Sequence, residues 1–224
     1  MKYLWRARLA PDTTQFQRLL DLQLMFAAAC NMLSADVAQT RMWHRVSLHH
    51  RAYKSLRARF PELGAQLACN AIYAVSKMAR LIYQDPRSPV NAKRKAEGPL
   101  PQLHFDGRAP VYFDRHTLSI KDRKVSLYTL DGRMRFALTS SEIIAAWLLR
   151  SRLMEVLLVR DAGNAFSLLF VIEASEPPGV DVVMPVPANG VVCGDEAVAS
   201  RVGVRTPPPS TWVWPQHVAV EEAA

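Results

Sequence analysis

Lys124-Val125-Ser126-Leu127-Tyr128-Thr129-Leu130-Asp131-Gly132-Arg133-Met134-Arg135-Phe136-Ala137-Leu138 is the stretch on which the fold turns. Two runs of period 2 flank Asp131-Gly132, a pair of residues that favours the tight turn between antiparallel strands. The pattern predicts strands at Lys124–Leu130 and Arg133–Leu138. The same period extends outward. Short strands fit Gln102–Asp106, Val111–Asp114 and Thr117–Ile120 before the hairpin, and Leu153–Arg160 and Asn164–Ala174 after it. Ser140, Ser141 and Glu142 can open a short helix over Ile143–Arg150. At the start of the chain Tyr3, Trp5, Ala7 and Leu9 alternate with Lys2, Arg6 and Arg8, Leu4 being the exception. A strand with an apolar face must bury it, so residues 2–9 are expected to pair with strands from 102–174. The expected fold class is α+β: a small antiparallel β-barrel or curled sheet, with a helical insertion after its first strand.

Between strand 1 and Leu100 the period is 3.6. Asp12 and Gln15 form a capping-box pattern. Phe16, Leu19, Leu20, Phe26, Ala27, Cys30, Leu33 and Val37 then recur at helical spacing, predicting one long helix or two stacked ones over residues 13–39. Ser47 is the expected cap of a second helix ending near Phe60, before Pro61. A third helix fits residues 63–83, with an apolar stripe of Ala68, Ala71, Ile72, Val75, Met78, Ala79 and Ile82. Its opposite face is expected to carry Gln66, Asn70, Tyr73, Lys77 and Arg80. Residues 84–101 read as a linker with four prolines and Lys93-Arg94-Lys95 at its centre. The expected divisions are 1–10 for the first strand, 11–84 for the helical insertion, 85–101 for the basic linker, 102–175 for the rest of the barrel and 176–224 for a Pro-rich tail. In that tail one or two strands are expected near Val182–Met184 and Gly190–Cys193, and loose packing from Val218 onward.

The chain of 224 residues has a formal net charge of +8, and the charge is unevenly spread. Residues 1–135 hold 23 Lys and Arg against 10 Asp and Glu; residues 136–224 hold 5 against 10. A basic body of this size points to a polyanionic partner, nucleic acid above all. Three scattered cysteines without a CxxC argue against a disulfide scaffold and predict a reducing, cytoplasmic setting. No run is long and apolar enough for a membrane-spanning helix, and arginines occupy the place of a signal peptide's apolar core. No partner membrane is expected. Phosphate-binding loops, nucleophile elbows and paired-histidine metal motifs are absent, and no cofactor or metal site is predicted. The adjacent His49 and His50 would point about 100° apart on a helix.

The order of parts resembles the N-terminal half of TnpB, the transposon-encoded RNA-guided nuclease, and of the compact type V CRISPR effectors. The likeness spans about residues 1–175. Arg6-Ala7-Arg8-Leu9-Ala10-Pro11 followed by Gln15 is similar to that family's opening. Leu63-Gly64-Ala65-Gln66-Leu67-Ala68 resembles the entry to its third recognition helix, Val125 to Arg133 a strand pair of its wedge barrel, and Leu168 to Glu173 the strand before its nuclease domain. The resemblance implies a wedge barrel of the oligonucleotide-binding type joined to a helical recognition lobe. It also implies a guide or other structured RNA and target DNA as partners, and a role in antiviral defence or a transposon-derived system.

The family's RuvC-type nuclease opening has a partial counterpart in Gly179-Val180-Asp181, with Val183 where a second glycine belongs. Several carboxylates must converge for two-metal cleavage, and Asp195, Glu196, Glu221 and Glu222 sit in a Pro-rich tail. The expected function is therefore non-catalytic, nuclease-deficient binding of nucleic acid. The chain would act as a subunit of an RNA-guided complex, with protein subunits docked on the C-terminal region and its Trp212 and Trp214, or as a stand-alone binder. A minimal metal-dependent nuclease that completes its site with a partner chain is the alternative. A third class is a basic module for an acidic protein. The residues expected to touch nucleic acid are Lys2, Arg6, Arg8, Arg51, Tyr53, Lys54, Arg57, Gln66, Asn70, Tyr73, Lys77, Arg80, Lys93, Arg94, Lys95, Arg115, Lys121, Arg123, Lys124, Arg133 and Arg135. Tyr112, Phe113, Tyr128 and Phe136 interleave with the strand cations as stacking candidates.

Overall fold

A computed structural model of the chain describes residues 1–94, 97–179, 183–186 and 217–221. The fold is α+β with antiparallel sheets. Two compact units divide the described residues. One comprises Met1–Leu20 with the described residues from Pro110 to Val186; the other comprises Asp21–Ala109 with His217–Glu221. The division falls inside helix α1 (Thr13–Thr40).

The first unit is built on a five-stranded sheet. Its order is β3 (Val111–Phe113), β7 (Arg152–Arg160), β8 (Phe166–Glu173), β1 (Lys2–Arg8) and β9 (Val183–Val186). The expected pairing of the first strand is met along its whole length. Lys2 lies opposite Glu173 and Arg8 opposite Ser167, and the Met1 ammonium donates to the Ala174 carbonyl at 2.7 Å. Because β1 also pairs with β9, it is an interior strand. Leu4 is buried along with Tyr3 and Trp5, so both faces of β1 are covered at this point, as side chains alternate between them. Trp5 stacks on Phe170 with centroids 4.8 Å apart. Tyr3 meets Trp147 of α4 (Glu142–Arg150) edge-on at 5.9 Å. As expected, the Ser141 hydroxyl caps α4 by accepting from the Ile144 amide.

A three-stranded meander completes this unit: β4 (Leu118–Lys121), β5 (Lys124–Thr129) and β6 (Gly132–Ala137). Val125, Leu127, Thr129, Met134 and Phe136 form its buried face. The β5–β6 turn is one residue earlier than Asp131-Gly132. Thr129 pairs with Gly132, so Leu130 and Asp131 make the turn. The reason is local: the Thr129 hydroxyl donates to the Asp131 carboxylate at 2.8 Å, and Gly132 takes the positive φ of 113° at the start of β6. The shift gives Tyr128 a new cross-strand partner, Arg133, without moving either residue to the other face.

Helix α1 is one continuous helix, and its capping box, formed in both directions between Asp12 and Gln15, belongs to the first unit. Helix α2 (Arg45–Arg59) starts two residues before Ser47 and is preceded by His44. A 3₁₀ turn, Pro61–Leu63, and Gly64 at φ 70° lead into α3 (Ala65–Gln84). All seven residues of the predicted α3 stripe are buried.

Residues 102–105 depart from the expected barrel. They form β2 (Gln102–Phe105), which pairs with β10 (Val218–Glu221) in a separate two-stranded sheet. The second edge of β2 is met by α1 side chains rather than by a strand. The Ser34 hydroxyl accepts from the Leu103 amide, and Asn31 exchanges two hydrogen bonds with Phe105. The same pairing places Val218–Glu221 in regular structure instead of a loose tail. Among the described residues three antiparallel sheets form and none closes into a barrel. The stretch expected to be a linker is held by turns, with the Ala92 amide bonded to the Tyr83 carbonyl and the Leu100 amide to the Ala38 carbonyl. Lys95, Asp181, Gly190–Cys193, Asp195, Glu196, Trp212, Trp214 and Glu222 lie outside the described residues.

Candidate nucleic-acid interface

The meander has one buried and one outward face because its side chains alternate with period 2. Register fixes the outward set in rows across the strands. Lys121 lies opposite Lys124, which lies opposite Ala137. Ser119 lies opposite Ser126, which lies opposite Arg135, and Tyr128 lies opposite Arg133. Four cations, two hydroxyls and one phenol thus share a face without a carboxylate. Lys121, Lys124, Arg133 and Arg135 are all exposed. Placing Lys121 directly across from Lys124 puts like charges together, an arrangement that costs stability in the isolated protein.

Tyr128 organises the end of this face. The Arg133 guanidinium carbon lies 4.3 Å from the Tyr128 ring centroid. Arg133 is further anchored by donating to the Ser126 hydroxyl at 3.3 Å and to the His116 carbonyl at 3.2 Å. Beside it, Arg115 Nε donates to His116 Nε2 at 3.3 Å, and both side chains are exposed. The other aromatics expected to stack are not available: Tyr112, Phe113 and Phe136 are buried. Tyr128 remains 42% exposed. Arg123 lies off these rows: it sits exposed in the β4–β5 turn, with its Nη1 2.9 Å from the Glu142 carboxylate.

In the second unit α2 and α3 pack against each other. Together they contain Arg45, Arg51, Lys54, Arg57, Arg59, Lys77 and Arg80 and no Asp or Glu. Not all of these cations are open. Arg51 is held by both oxygens of Asp36 in α1, with Nε 2.9 Å from each. Arg57 donates to the Phe60 and Pro61 carbonyls that follow α2, which ties its guanidinium to the turn into α3. Asn70, expected on an open polar face, is buried. Gln66 is half-buried. Tyr53 stacks on His49 at 4.7 Å, and His49 Nε2 lies 3.7 Å from Cys69 Sγ.

The centre of this helical surface is Tyr73. Arg45 lies over its ring at 5.1 Å and Lys77 lies at 6.0 Å. Arg45 was not among the expected contact residues. It lies in the first turn of α2, where the helix dipole disfavours a cation, and its compensation is an aromatic ring from another helix. Nothing in nearby sequence signals that pairing. Lys54 and Arg80 are exposed.

The remaining expected residues are scattered. Lys2 and Arg8 are exposed at the two ends of β1, while Arg6 between them is half-buried, 3.9 Å from Asp161. Lys93 is exposed, and Arg94 donates to the Pro86 carbonyl at 2.8 Å. Among the described residues no group of three His, Cys, Asp or Glu side chains is placed to hold a metal ion. Burial raises the Cys30 thiol above its ordinary range, which leaves it uncharged. No helix among the described residues is long and apolar enough to cross a membrane. No protein-family model matches the chain, and no curated protein matches it.

Proposed function

We propose that the chain is a non-catalytic nucleic-acid-binding protein. It binds a guide or other structured RNA and, through it, target DNA, as a subunit of an RNA-guided complex or as a stand-alone binder in the cytoplasm. On this reading the β-rich first unit plays the part of a wedge of the oligonucleotide-binding type, and the α-rich second unit that of a recognition lobe. The observation that carries the reading is the pattern of charge: the outward meander face and the α2–α3 pair are each strongly basic and each lack carboxylates of their own. Cations on such surfaces neutralise phosphates and release condensed counterions, so affinity depends steeply on salt. Phosphate contacts fix position, and sequence choice over a long target comes from base pairing with the guide.

The test is fluorescence anisotropy of the full chain with labelled RNA and DNA across a salt series, together with sequencing of the nucleic acid that co-purifies. A fall in affinity by orders of magnitude between low and physiological salt is expected. A flat salt response, with affinity for an acidic protein undiminished by added RNA, overturns the reading.

A further inference from the structure

We infer that the outward face of the β4–β5–β6 meander is a platform for an unpaired stretch of nucleic acid, with Tyr128 taking one base. This rests on the proposal that the chain binds nucleic acid, and it adds which strand state this face selects. Three observations carry it.

First, Tyr128 is exposed, whereas the other expected stacking aromatics, Phe136 on the same sheet and Tyr112 and Phe113 on β3, are buried. An exposed aromatic on a basic sheet face stabilises nothing in the core. It is suited to a ligand with a flat π-face. Second, Arg133 is fixed over the same ring by the contacts to Ser126 and His116. A guanidinium held in this way presents a second rigid plane, and the entropy of ordering it is already lost before a base arrives. Third, Arg135 lies in the adjoining row on the same face, and Lys121 and Lys124 in the row beyond it. A strand rises about 3.4 Å per residue, so the lysine row stands about 13 Å along β5 from Tyr128, where it meets the backbone of a strand continuing past the base stacked there. A paired duplex keeps its bases stacked on one another and offers this ring no face. An unpaired segment does offer one, and stacking tolerates every base.

Binding of a labelled oligouridylate, a labelled oligodeoxythymidylate and a blunt RNA duplex of equal length to the full chain tests the inference. The variants are Tyr128→Ala, Tyr128→Phe, Arg133→Lys and Lys121→Glu/Lys124→Glu. Tyr128→Ala is expected to weaken single-strand binding roughly 5- to 100-fold while changing duplex binding less than about two-fold. Tyr128→Phe should retain wild-type affinity, since the ring and not the hydroxyl is used. Arg133→Lys keeps the charge and loses the plane, and should fall between the two. Comparison of the two homopolymers separates RNA from DNA as the source of the strand.

An unchanged single-strand affinity in Tyr128→Ala overturns the platform. If Lys121→Glu/Lys124→Glu still weakens binding, phosphate recognition by this face, and with it the functional proposal, survives. Equal losses for single strand and duplex in Tyr128→Ala also overturn the inference. If Tyr128→Ala unfolds, Tyr128→Phe with Arg133→Lys still decides the matter: equal affinities in both, at equal charge, rule out a stacking plane. Failure of the wild-type chain to bind any of the three probes defeats the functional proposal itself.

Discussion

Arg18 grips Asp131: its Nη2 and Nε stand 2.6 and 2.8 Å from the same carboxylate oxygen. Arg18 also donates to the Thr129 hydroxyl at 3.0 Å, and that hydroxyl donates to Asp131. The start of α1 is thereby tied to the β5–β6 turn, and the turn is held in the register that sets Tyr128 opposite Arg133.

The Thr129 hydroxyl, and after it Arg18, hold the Asp131 carboxyl below its ordinary value of 3.8. A carboxyl lowered in the folded state contributes stability above the unfolded aspartate range, and that contribution is lost as pH falls through the lowered value. Asp131 is 60% exposed, so the effect is at most about 1 kcal/mol. Asp131→Asn should lose that much at neutral pH and less at the lowest pH at which the chain stays folded, in urea melts at both pH values. Equal differences at the two pH values would show that the carboxylate's charge is not the cause.

Arg123 occupies the left-handed region at φ 53°, next to Asp122 at φ 50°. That conformation costs a residue with a Cβ roughly 1–2 kcal/mol, while its exposed pair with Glu142 returns at most about 1 kcal/mol. Arg123→Gly makes the turn Asp-Gly, the preferred sequence for such a hairpin. It should raise the melting temperature in calorimetry; a fall by more than about 1 kcal/mol equivalent would mean the ion pair outweighs the backbone.

Asn31 acts as a substitute strand for β2, with bonds of 2.9 and 2.7 Å to the Phe105 carbonyl and amide. Asn31→Ala leaves both groups without this partner and should cost about 1–3 kcal/mol in chemical denaturation. A cost below about 0.5 kcal/mol would indicate that water replaces the side chain at little loss.

These particulars show how far sequence could be followed. The β1–β8 pairing was legible because an alternating strand with an apolar face needs a sheet, and β8 supplies apolar residues along its length. β2 was not, because its partners are Asn31 and Ser34 on a helix and a strand near residue 220. Such pairings are set by tertiary position and leave no periodic trace. Asn70 was misplaced because a helical wheel identifies the apolar stripe, whereas the burial of a polar residue beside it is set by tertiary position. The cations were visible in number, but whether each is open or held depends on single carboxylates such as Asp36, Glu142 and Asp161, distant in sequence from Arg51, Arg123 and Arg6.

Lys124 should show opposite effects on stability and binding. Lys124→Glu replaces a cross-strand repulsion with Lys121 by an attraction, a gain of about 0.2–1 kcal/mol in the free protein. On the proposed function the same change removes a cation for phosphate and should weaken nucleic-acid binding at low salt. Melting curves and anisotropy on one preparation check both signs. Loss of stability together with loss of binding would mean that Lys124 is a structural residue.

The central place of β1 has a consequence for the time course of folding. The hydrogen bond that closes its end joins positions 173 apart in sequence, so the five-stranded sheet cannot be completed by local contacts. The α2–α3 hairpin and the β4–β5–β6 meander need only neighbours, and such segments order within microseconds. A large loop must close before β8 accepts β1, and that step is slow and leaves two strand edges exposed in the interim. Refolding should therefore show early helical and hairpin signals followed by a slower burial of Trp5. In that interval the half-formed sheet is the species most prone to aggregate, so yield should improve on dilution rather than on cooling alone.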